Sequence, residues 1–229
     1  MRILLATPTR GRPESFSAMV HTARATASNN EHLAIVARVD RDDPQRGGYF
    51  WERGYSVIQG KRERLPVLWN EIVSEYRYDI VMMAADDIRF RTTGWDDEVR
   101  FAFKQWPDGI GLAYPDDGIH GQRLATHSFV SRQFVDTVGF YLPATLTGDF
   151  VDNWLHTLAR VVGREAYLPR VYIEHLHPIV GKAQMDDTYN YRLTGNGPAK
   201  AQKAWKEVIE SGLPIRAIEK LKGAISAAS

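Results

Sequence analysis

Short apolar runs, each closed by a charged or turn-forming residue, recur through the first ninety residues at 2–6, 32–39, 56–58 and 79–84. Near-continuous apolar runs of this length are the pattern of strands buried on both faces. Between the first two, residues 14–27 carry Phe16, Met19, Val20 and Ala23 at helical spacing, behind Pro13, a residue suited to a helix start. Between the third and fourth, residues 65–76 place Leu68, Trp69, Ile72, Val73 and Tyr76 on one helical face. Strand, helix, strand, strand, helix, strand predicts an α/β fold with a mixed, mainly parallel sheet flanked by helices. In such sheets ligands bind beyond the carboxyl ends of the strands, which directs attention to residues 7–13, 40–44, 59–64 and 85–89.

The second half is less regular. A short helix is predicted over 95–105 after a break at Gly94, then strands over 110–114 and 125–130 around a polar loop at 115–123. Ser131 is placed to cap a helix running to Val138. A longer helix is predicted over 149–162, with an apolar stripe of Val151, Trp154, Leu155, Leu158, Val161 and Val162 and Gly163 at its end. A strand over 166–176 follows, then a Gly-, Lys- and Asp-rich stretch to Tyr191. The tail, 198–225, is helical in composition with an interruption at Gly212 and Pro214. With no internal repeat and no low-complexity linker, the organisation expected is one domain over 1–195, changing character near residue 92, and a helical extension over 196–229.

Composition narrows the function classes. The 229 residues, 44% hydrophobic and 25% charged, are those of a globular protein with a sizeable core. The longest apolar run, 80–85, is far below the ~20 residues of a membrane span. The first residues lack a signal-peptide layout, so the cytoplasm is the expected compartment. No cysteine is present, which removes disulfides, thiol catalysis and Cys-bound zinc. A net charge of +1 removes any global electrostatic case for nucleic acid and leaves only local patches. The six tryptophans are expected mainly in the core, with Trp95 and Trp154 the candidates for stacking on a sugar or acceptor.

Adjacent aspartates occur at 42–43, 86–87, 96–97, 116–117 and 186–187. Most such pairs are solvated loop carboxylates, but Asp86 and Asp87 end the apolar run 80–85. Two like charges at the mouth of a buried strand repel each other and resist desolvation. A divalent cation with a preference for oxygen ligands, Mg²⁺ or Mn²⁺, relieves both problems. His175 and His177 lie two apart, on one face of a strand. In the first loop, 7–13, main-chain amides at a helix start suit an anion. Asp40 is placed to accept hydrogen bonds from a base or ribose, and Lys61, Arg62 and Arg64 form a basic cluster ahead of a helix.

In order and spacing, these stretches resemble a GT-A fold glycosyltransferase of the family 2-like kind. The resemblance rests on VARVDRDDP (36–44), LPVLWNEIVSEYRYDIVMMAADDIRF (65–90), TTGWDDEV (92–99), FVSRQFVDTVGFYLPATLTGDFVDNWL (129–155) and EHLHP (174–178). It covers residues 1 to about 190. It implies a nucleotide-sugar half over about 1–92 and an acceptor half over about 93–195. Pro8, Thr9, Arg10, Arg12, Asp40, Arg62, Arg64, Asn70, Ala85 and Asp86 would then bind the nucleotide sugar, a UDP-sugar being favoured. Asp86, Asp87 and His177 would hold Mn²⁺ or Mg²⁺. Asp149 or Asp152, with Asp149 preferred, would act as catalytic base in an inverting transfer. One departure stands out: the family's first acidic motif residue corresponds to Ala84.

Compact phage-type members carry a similar Pro-Thr-Arg-Gly-Arg-Pro start and Asp-Asn-Trp motif, which makes a hydroxylated base in DNA a candidate acceptor and the host cytoplasm the setting. The tail's Lys200, Lys203, Lys206, Arg216, Lys220 and Lys222, against Glu207, Glu210 and Glu219, would then approach a phosphate backbone. The plain reading of the tail is an amphipathic helix pair packed on the domain. The competing functions are a nucleotidylyltransferase, disfavoured by the single glycine in TPTRGRP, and a catalytically idle carbohydrate- or nucleic-acid-binding module. A monomer or homodimer is expected.

Overall fold

A computed structural model of the protein describes residues 1–50, 54–183, 189–190 and 197–228. Asp186, Asp187 and the boundary expected at 195/196 lie outside them. The alternation read from the sequence becomes one sheet of eight strands. Strands β1 (Ile3–Thr9), β2 (Leu33–Asp40), β3 (Ser56–Gly60) and β4 (Ile80–Met83) pair in parallel in the spatial order β3-β2-β1-β4. Helices α1 (Pro13–Thr26) and α2 (Leu65–Glu75) make the crossovers from β1 to β2 and from β3 to β4.

Beyond β4 the sheet turns mixed. β7 (Phe129–Ser131) runs antiparallel to β4, and β6 (Leu112–Asp116) antiparallel to β7. β8 (Glu165–His175) is parallel to β6, and β5 (Ile88–Phe90) closes that edge antiparallel to β8. The remaining helices are α3 (Trp95–Phe103), α4 (Arg132–Val138), α5 (Val151–Val161), α6 (Gly197–Glu210) and α7 (Leu213–Ala227).

The parallel strands are sandwiched, which explains their continuous apolar runs. In β1, Leu4 and Ala6 face a core built with Trp69, Ile72, Trp154, Leu155, Leu158 and Leu221. Ile3 and Leu5 face the opposite core with Phe16, Met19, Trp95 and Val99. Strand β4 divides in the same way, Val81 and Met83 to the first and Ile80 and Met82 to the second. Each fully buried large aliphatic contributes about 1.5–3 kcal/mol, so the two cores together rigidify the sheet edge on which the site is built.

Several local expectations shift. Ser131 caps α4 as expected, its side chain accepting the Phe134 N–H at 3.3 Å. Strand β7 occupies only the end of the expected 125–130 span, because His127 takes a left-handed φ of 50° that breaks the extended run. The long helix starts at Val151, with Phe150 at its N-cap at φ 65°, so Asp149 precedes the helix and does not cap it. Trp95 and Trp154 are core residues, their indole N–H groups bound to the Ala23 and Tyr141 carbonyls. The tail is a helix pair seated on the first core through Val208, Ala217 and Leu221, as the plain reading held. Among the described residues no helix is long and apolar enough to cross a membrane.

Candidate functional site

Parallel register brings the strand ends together. Thr9 lies opposite Val39 and Asp40 opposite Gly60, and β4 ends at Met83, from which Ala84 to Asp87 run beside the last residues of β1. Ala84 is buried and its N–H bonds the Ala6 carbonyl at 3.1 Å. The acidic pair is therefore delivered to the edge that already holds Thr9 and Asp40.

Asp86 is buried and held on every side. The Thr9 hydroxyl donates to its Oδ2 at 2.6 Å, Arg12 Nη1 approaches its Oδ1 at 3.2 Å, and the Ser15 hydroxyl donates to its carbonyl at 2.8 Å. Tyr49, buried with its hydroxyl pKa pushed up to about 12 by desolvation, extends this chain. Its oxygen accepts the Arg12 N–H at 2.9 Å and lies 3.2 Å from the Thr9 hydroxyl. Because the Thr9 proton is committed to Asp86, Tyr49 donates to Thr9, and the hydrogen-bond direction through the network is set.

Asp87 faces the other half of the molecule. The antiparallel pairing of β5 with β8 puts Ile88 opposite His175, so His175 Nε2 comes 3.7 Å from Asp87 Oδ1 and the Leu176 N–H bonds the Asp87 carbonyl. The Tyr189 hydroxyl donates to Asp87 Oδ2, and Arg12 Nη1 is 3.7 Å from that same oxygen. A file of rings follows: His127 and His175 at 4.7 Å, His175 and His177 at 5.2 Å, His177 and Tyr189 at 4.9 Å between centroids. His177, the histidine expected to bind metal, lies one ring further out, and it is His175 that meets the carboxylate.

The two carboxyls are pushed apart electrostatically. Burial, reinforced by the charge on Asp87, raises Asp86 to about 6. Burial acts the same way on Asp87, but the closeness of His175 and the hydrogen bond from Tyr189 outweigh it and hold that carboxyl well below its ordinary value. The pair therefore takes its first proton on Asp86. His127 is driven down to about 4 by burial and stays neutral at physiological pH.

The raised Asp86 pKa has a stability consequence. A carboxyl whose folded pKa exceeds its unfolded value of 3.8 contributes fully only below that value, and loses the contribution as pH rises through about 6. The Asp86→Asn protein cannot ionise there. In metal-free buffer it is expected to gain about 2 kcal/mol on the parent between pH 4.5 and pH 7.5, the part of a two-unit shift that falls in this window. Denaturant melts at the two pH values read this directly; a difference that does not change with pH would remove the burial argument.

Arg10 ties the first loop to the end of β2, with Nη1 3.2 Å from Asp40 Oδ2 and 2.7 Å from Asp42 Oδ1. Gly11 N–H bonds Asp43 Oδ2 at 2.8 Å. Asp40 is buried and its Oδ1 has no hydrogen-bond partner, although the buried Arg38 guanidinium lies 3.6 Å away. Desolvation raises the Asp40 pKa against the pull of Arg10 and Arg38. Arg38 reaches past Gly60, where a Cβ would collide with the guanidinium, to Glu71 and the Lys61 carbonyl. Pro8 is buried within β1, Ala85 is half-buried beside the acidic pair, and Arg62 is exposed.

Asn70 and Arg64, expected at the donor, both bond main-chain groups of a later segment. Asn70 donates to the Leu142 carbonyl at 2.8 Å and accepts the Tyr141 and Leu142 N–H groups at 3.2 and 3.0 Å. Arg64 donates to the Thr145 carbonyl at 3.1 Å. Both fasten segment 141–145 to α2, whose first residue, Leu65, also packs against Gly148 so closely that a Cβ there would come within 2.8 Å. Gly148, and Asp149 directly after it, is thereby held against the start of α2. Asn70→Ala is expected to destabilise the fold by about 2–3 kcal/mol, three hydrogen bonds at about 1 kcal/mol each. Its UDP affinity is expected to stay within about two-fold of the parent; a far larger loss of affinity than of stability would return Asn70 to the donor pocket.

Asp149 and Asp152 flank Phe150, whose left-handed φ is one of two among the described non-glycine residues. Phe150 stacks on Trp205 of α6, centroids 5.5 Å apart and rings 8° from parallel. Asp152 lies in the first turn of α5. Asp117 serves its own loop, its Oδ1 accepting the N–H groups of Ile119, His120 and Gly121. Sequence reasoning missed Tyr49, Tyr189, His127 and Arg38. Only Arg38 carried a local signal, as a lone charge inside an apolar strand.

In kind, the residues fit a divalent cation: two carboxylates, one with a buried oxygen lacking a hydrogen bond (Asp87 Oδ1), and an imidazole whose Nδ1 is likewise unpartnered (His175). As arranged, no three His, Asp or Glu side chains among the described residues converge to hold one, and the guanidinium of Arg12 lies against both carboxylates.

No family model and no curated protein matches the sequence. Solved structures do match the fold. Residues 1–349 of S. aureus TarS in complex with UDP-GlcNAc superpose with a TM-score of 0.64 at 10% identity, over 91% of this chain and 67% of that one. The mannosyltransferase PcManGT from Pyrobaculum calidifontis, in complex with GDP-Man and Mn²⁺, gives 0.60 at 13% identity, over 99% of this chain and 74% of that one. Against a longer S. aureus TarS chain the match covers 76% of this chain and spans only 36% of that one, with a TM-score of 0.59. The architecture, a mainly parallel sheet between helices, is the GT-A fold.

Proposed function

We propose that this chain is a glycosyltransferase that moves a sugar from a nucleotide-sugar donor, a UDP-sugar being favoured, to a hydroxyl acceptor with inversion. The observation that carries the reading is the meeting of two features on one sheet edge of a GT-A fold. One is an acidic pair at the end of β4, with Asp86 buried and Asp87 partly so; the other is a buried aspartate at the end of β2 with an unpartnered oxygen. The structural neighbours that hold UDP-GlcNAc and GDP-Man support it.

In this reading Asp40 Oδ1 accepts a hydrogen bond from the nucleoside, and Arg10 fixes the loop around it. The Asp149 carboxylate takes the proton from the acceptor hydroxyl. The freed oxygen attacks the anomeric carbon on the face opposite the diphosphate. The bond from that carbon to the diphosphate oxygen breaks, and its electron pair leaves with the nucleoside diphosphate. When bound, Mn²⁺ or Mg²⁺ held by Asp86 and Asp87 with His175 offsets the charge on that leaving group. The proposal extends to a hydroxylated base in DNA as acceptor, with the exposed Lys200, Lys203, Lys206, Arg216 and Lys222 on α6 and α7 as its support.

Calorimetric titration of UDP, GDP and their sugars, with and without Mn²⁺, tests the donor site. Binding of one diphosphate class supports the reading and names the donor class. No binding to any of them by folded protein overturns it and leaves the binding-module alternative.

A further inference from the structure

The acidic pair already has a cation on it. The Arg12 main chain is pinned by its N–H to Tyr49 and by Pro13, the first residue of α1. Its side chain is 14% exposed, and Nη1 lies 3.2 Å from Asp86 Oδ1 and 3.7 Å from Asp87 Oδ2. The guanidinium rests over the ring of Tyr189, 4.6 Å from its centroid, and Tyr189 in turn donates to Asp87. Guanidinium and divalent ion cannot both sit against the same two carboxylates, since their charges repel strongly where water is scarce.

We propose that Arg12 is a placeholder for the metal: it neutralises Asp86 and Asp87 in the free protein, and gives way when a divalent ion arrives together with the donor's diphosphate, onto which the guanidinium then turns. The inference rests on the donor-site reading above. Two features favour the second half of the movement. A planar guanidinium pairs with phosphate oxygens in bidentate fashion, and Arg12 stands at the start of α1, a 14-residue helix whose first amides favour an anion. Charge balance makes the exchange concerted. Metal alone is opposed by the resident guanidinium, and diphosphate alone by two carboxylates carrying one cation between them. Each ligand therefore improves the site for the other, and the coupling is reciprocal.

The test is calorimetric titration of MnCl₂ alone, and of UDP with and without Mn²⁺, into the parent protein, Arg12→Gln and Arg12→Lys. Arg12→Gln is expected to bind Mn²⁺ alone at least about ten-fold more tightly than the parent, the scale on which one nearby charge acts. The same variant should bind UDP in the presence of Mn²⁺ at least about ten-fold more weakly. Arg12→Lys, which keeps the charge, should match the parent for Mn²⁺ alone. Equal or weaker Mn²⁺ binding by Arg12→Gln overturns the placeholder. If that variant does not fold, the parent decides: UDP should raise its Mn²⁺ affinity at least about ten-fold, and independent binding overturns the proposal. Absence of UDP and GDP binding under all conditions removes the donor site instead, while the Mn²⁺-alone comparison still judges Arg12.

Discussion

Asp86→Ala is expected to lose at least about a hundred-fold in affinity for UDP in the presence of Mn²⁺, and donor turnover with it. The Asp86 carboxylate is engaged by Thr9 and Arg12 of the first loop, and its main-chain carbonyl by Ser15 of α1. Its removal takes away a proposed ligand for the divalent ion and releases Arg12 from its anchor. A hundred-fold corresponds to about 2.7 kcal/mol, within the roughly 2–5 kcal/mol that binding loses when one partner of a buried, hydrogen-bonded charge pair is removed. Misfolding is a poor alternative explanation here, because the ionised Asp86 burdens the free protein at neutral pH and its amide analogue should be the more stable. Calorimetry on Asp86→Ala and Asp86→Asn reads affinity, and a melt of each reads the fold. Retention of UDP affinity within a few-fold in both variants would take the donor diphosphate away from this sheet edge.

The second large effect is expected at Asp149. Asp149→Asn should reduce sugar transfer by about 10²–10⁴, the usual contribution of a general base, with UDP affinity within two-fold of the parent. Asp152→Asn should reduce it by less than ten-fold. The preference follows from position. Asp149 precedes the left-handed Phe150 on a segment fastened to α2 by Asn70, Arg64 and the close fit of Gly148 on Leu65, while Asp152 belongs to the first helical turn, where its charge favours the helix. Slow hydrolysis of UDP-glucose, UDP-GlcNAc or GDP-mannose supplies an assay in which water takes the acceptor's place, and DNA carrying hydroxymethylated bases can be added to it. Asn at 152 being the more damaging would exchange the two roles; neither mattering would end the case for a carboxylate base in this segment.

The sheet's parallel half was legible because strands buried on both faces leave continuous apolar runs, and helices packed on one side leave stripes. β1 to β4 with α1 and α2 follow from those two patterns alone. β5 was not legible. Three residues, Ile88 to Phe90, are too few to show a period, and their partner lies more than eighty residues away. The site divides in the same way. Asp86 announced itself as a charge at the end of a buried run. Tyr49 and Tyr189 lie in polar or mixed stretches, where one more tyrosine carries no signal.

The histidines mark the boundary most clearly. Their two-residue spacing placed His175 and His177 on one face of a strand, and local pattern can go no further. Antiparallel register, set by the pairing of Ile88 with His175, decides that His175 meets Asp87 and that His177 lies one ring beyond. Asn70 shows the same limit: its helix and face were readable, but three backbone partners in segment 141–142 exist only once that segment is folded against α2. By itself, then, the sequence determined the fold class, the sheet edge proposed to carry the chemistry and the acidic pair on it, because these follow from local hydrophobic period and from the cost of burying charge. Which histidine faces that pair, that Arg12 already neutralises it, and that Asn70 serves the fold were decided by tertiary structure alone, since each depends on contacts between residues that nothing local brings together.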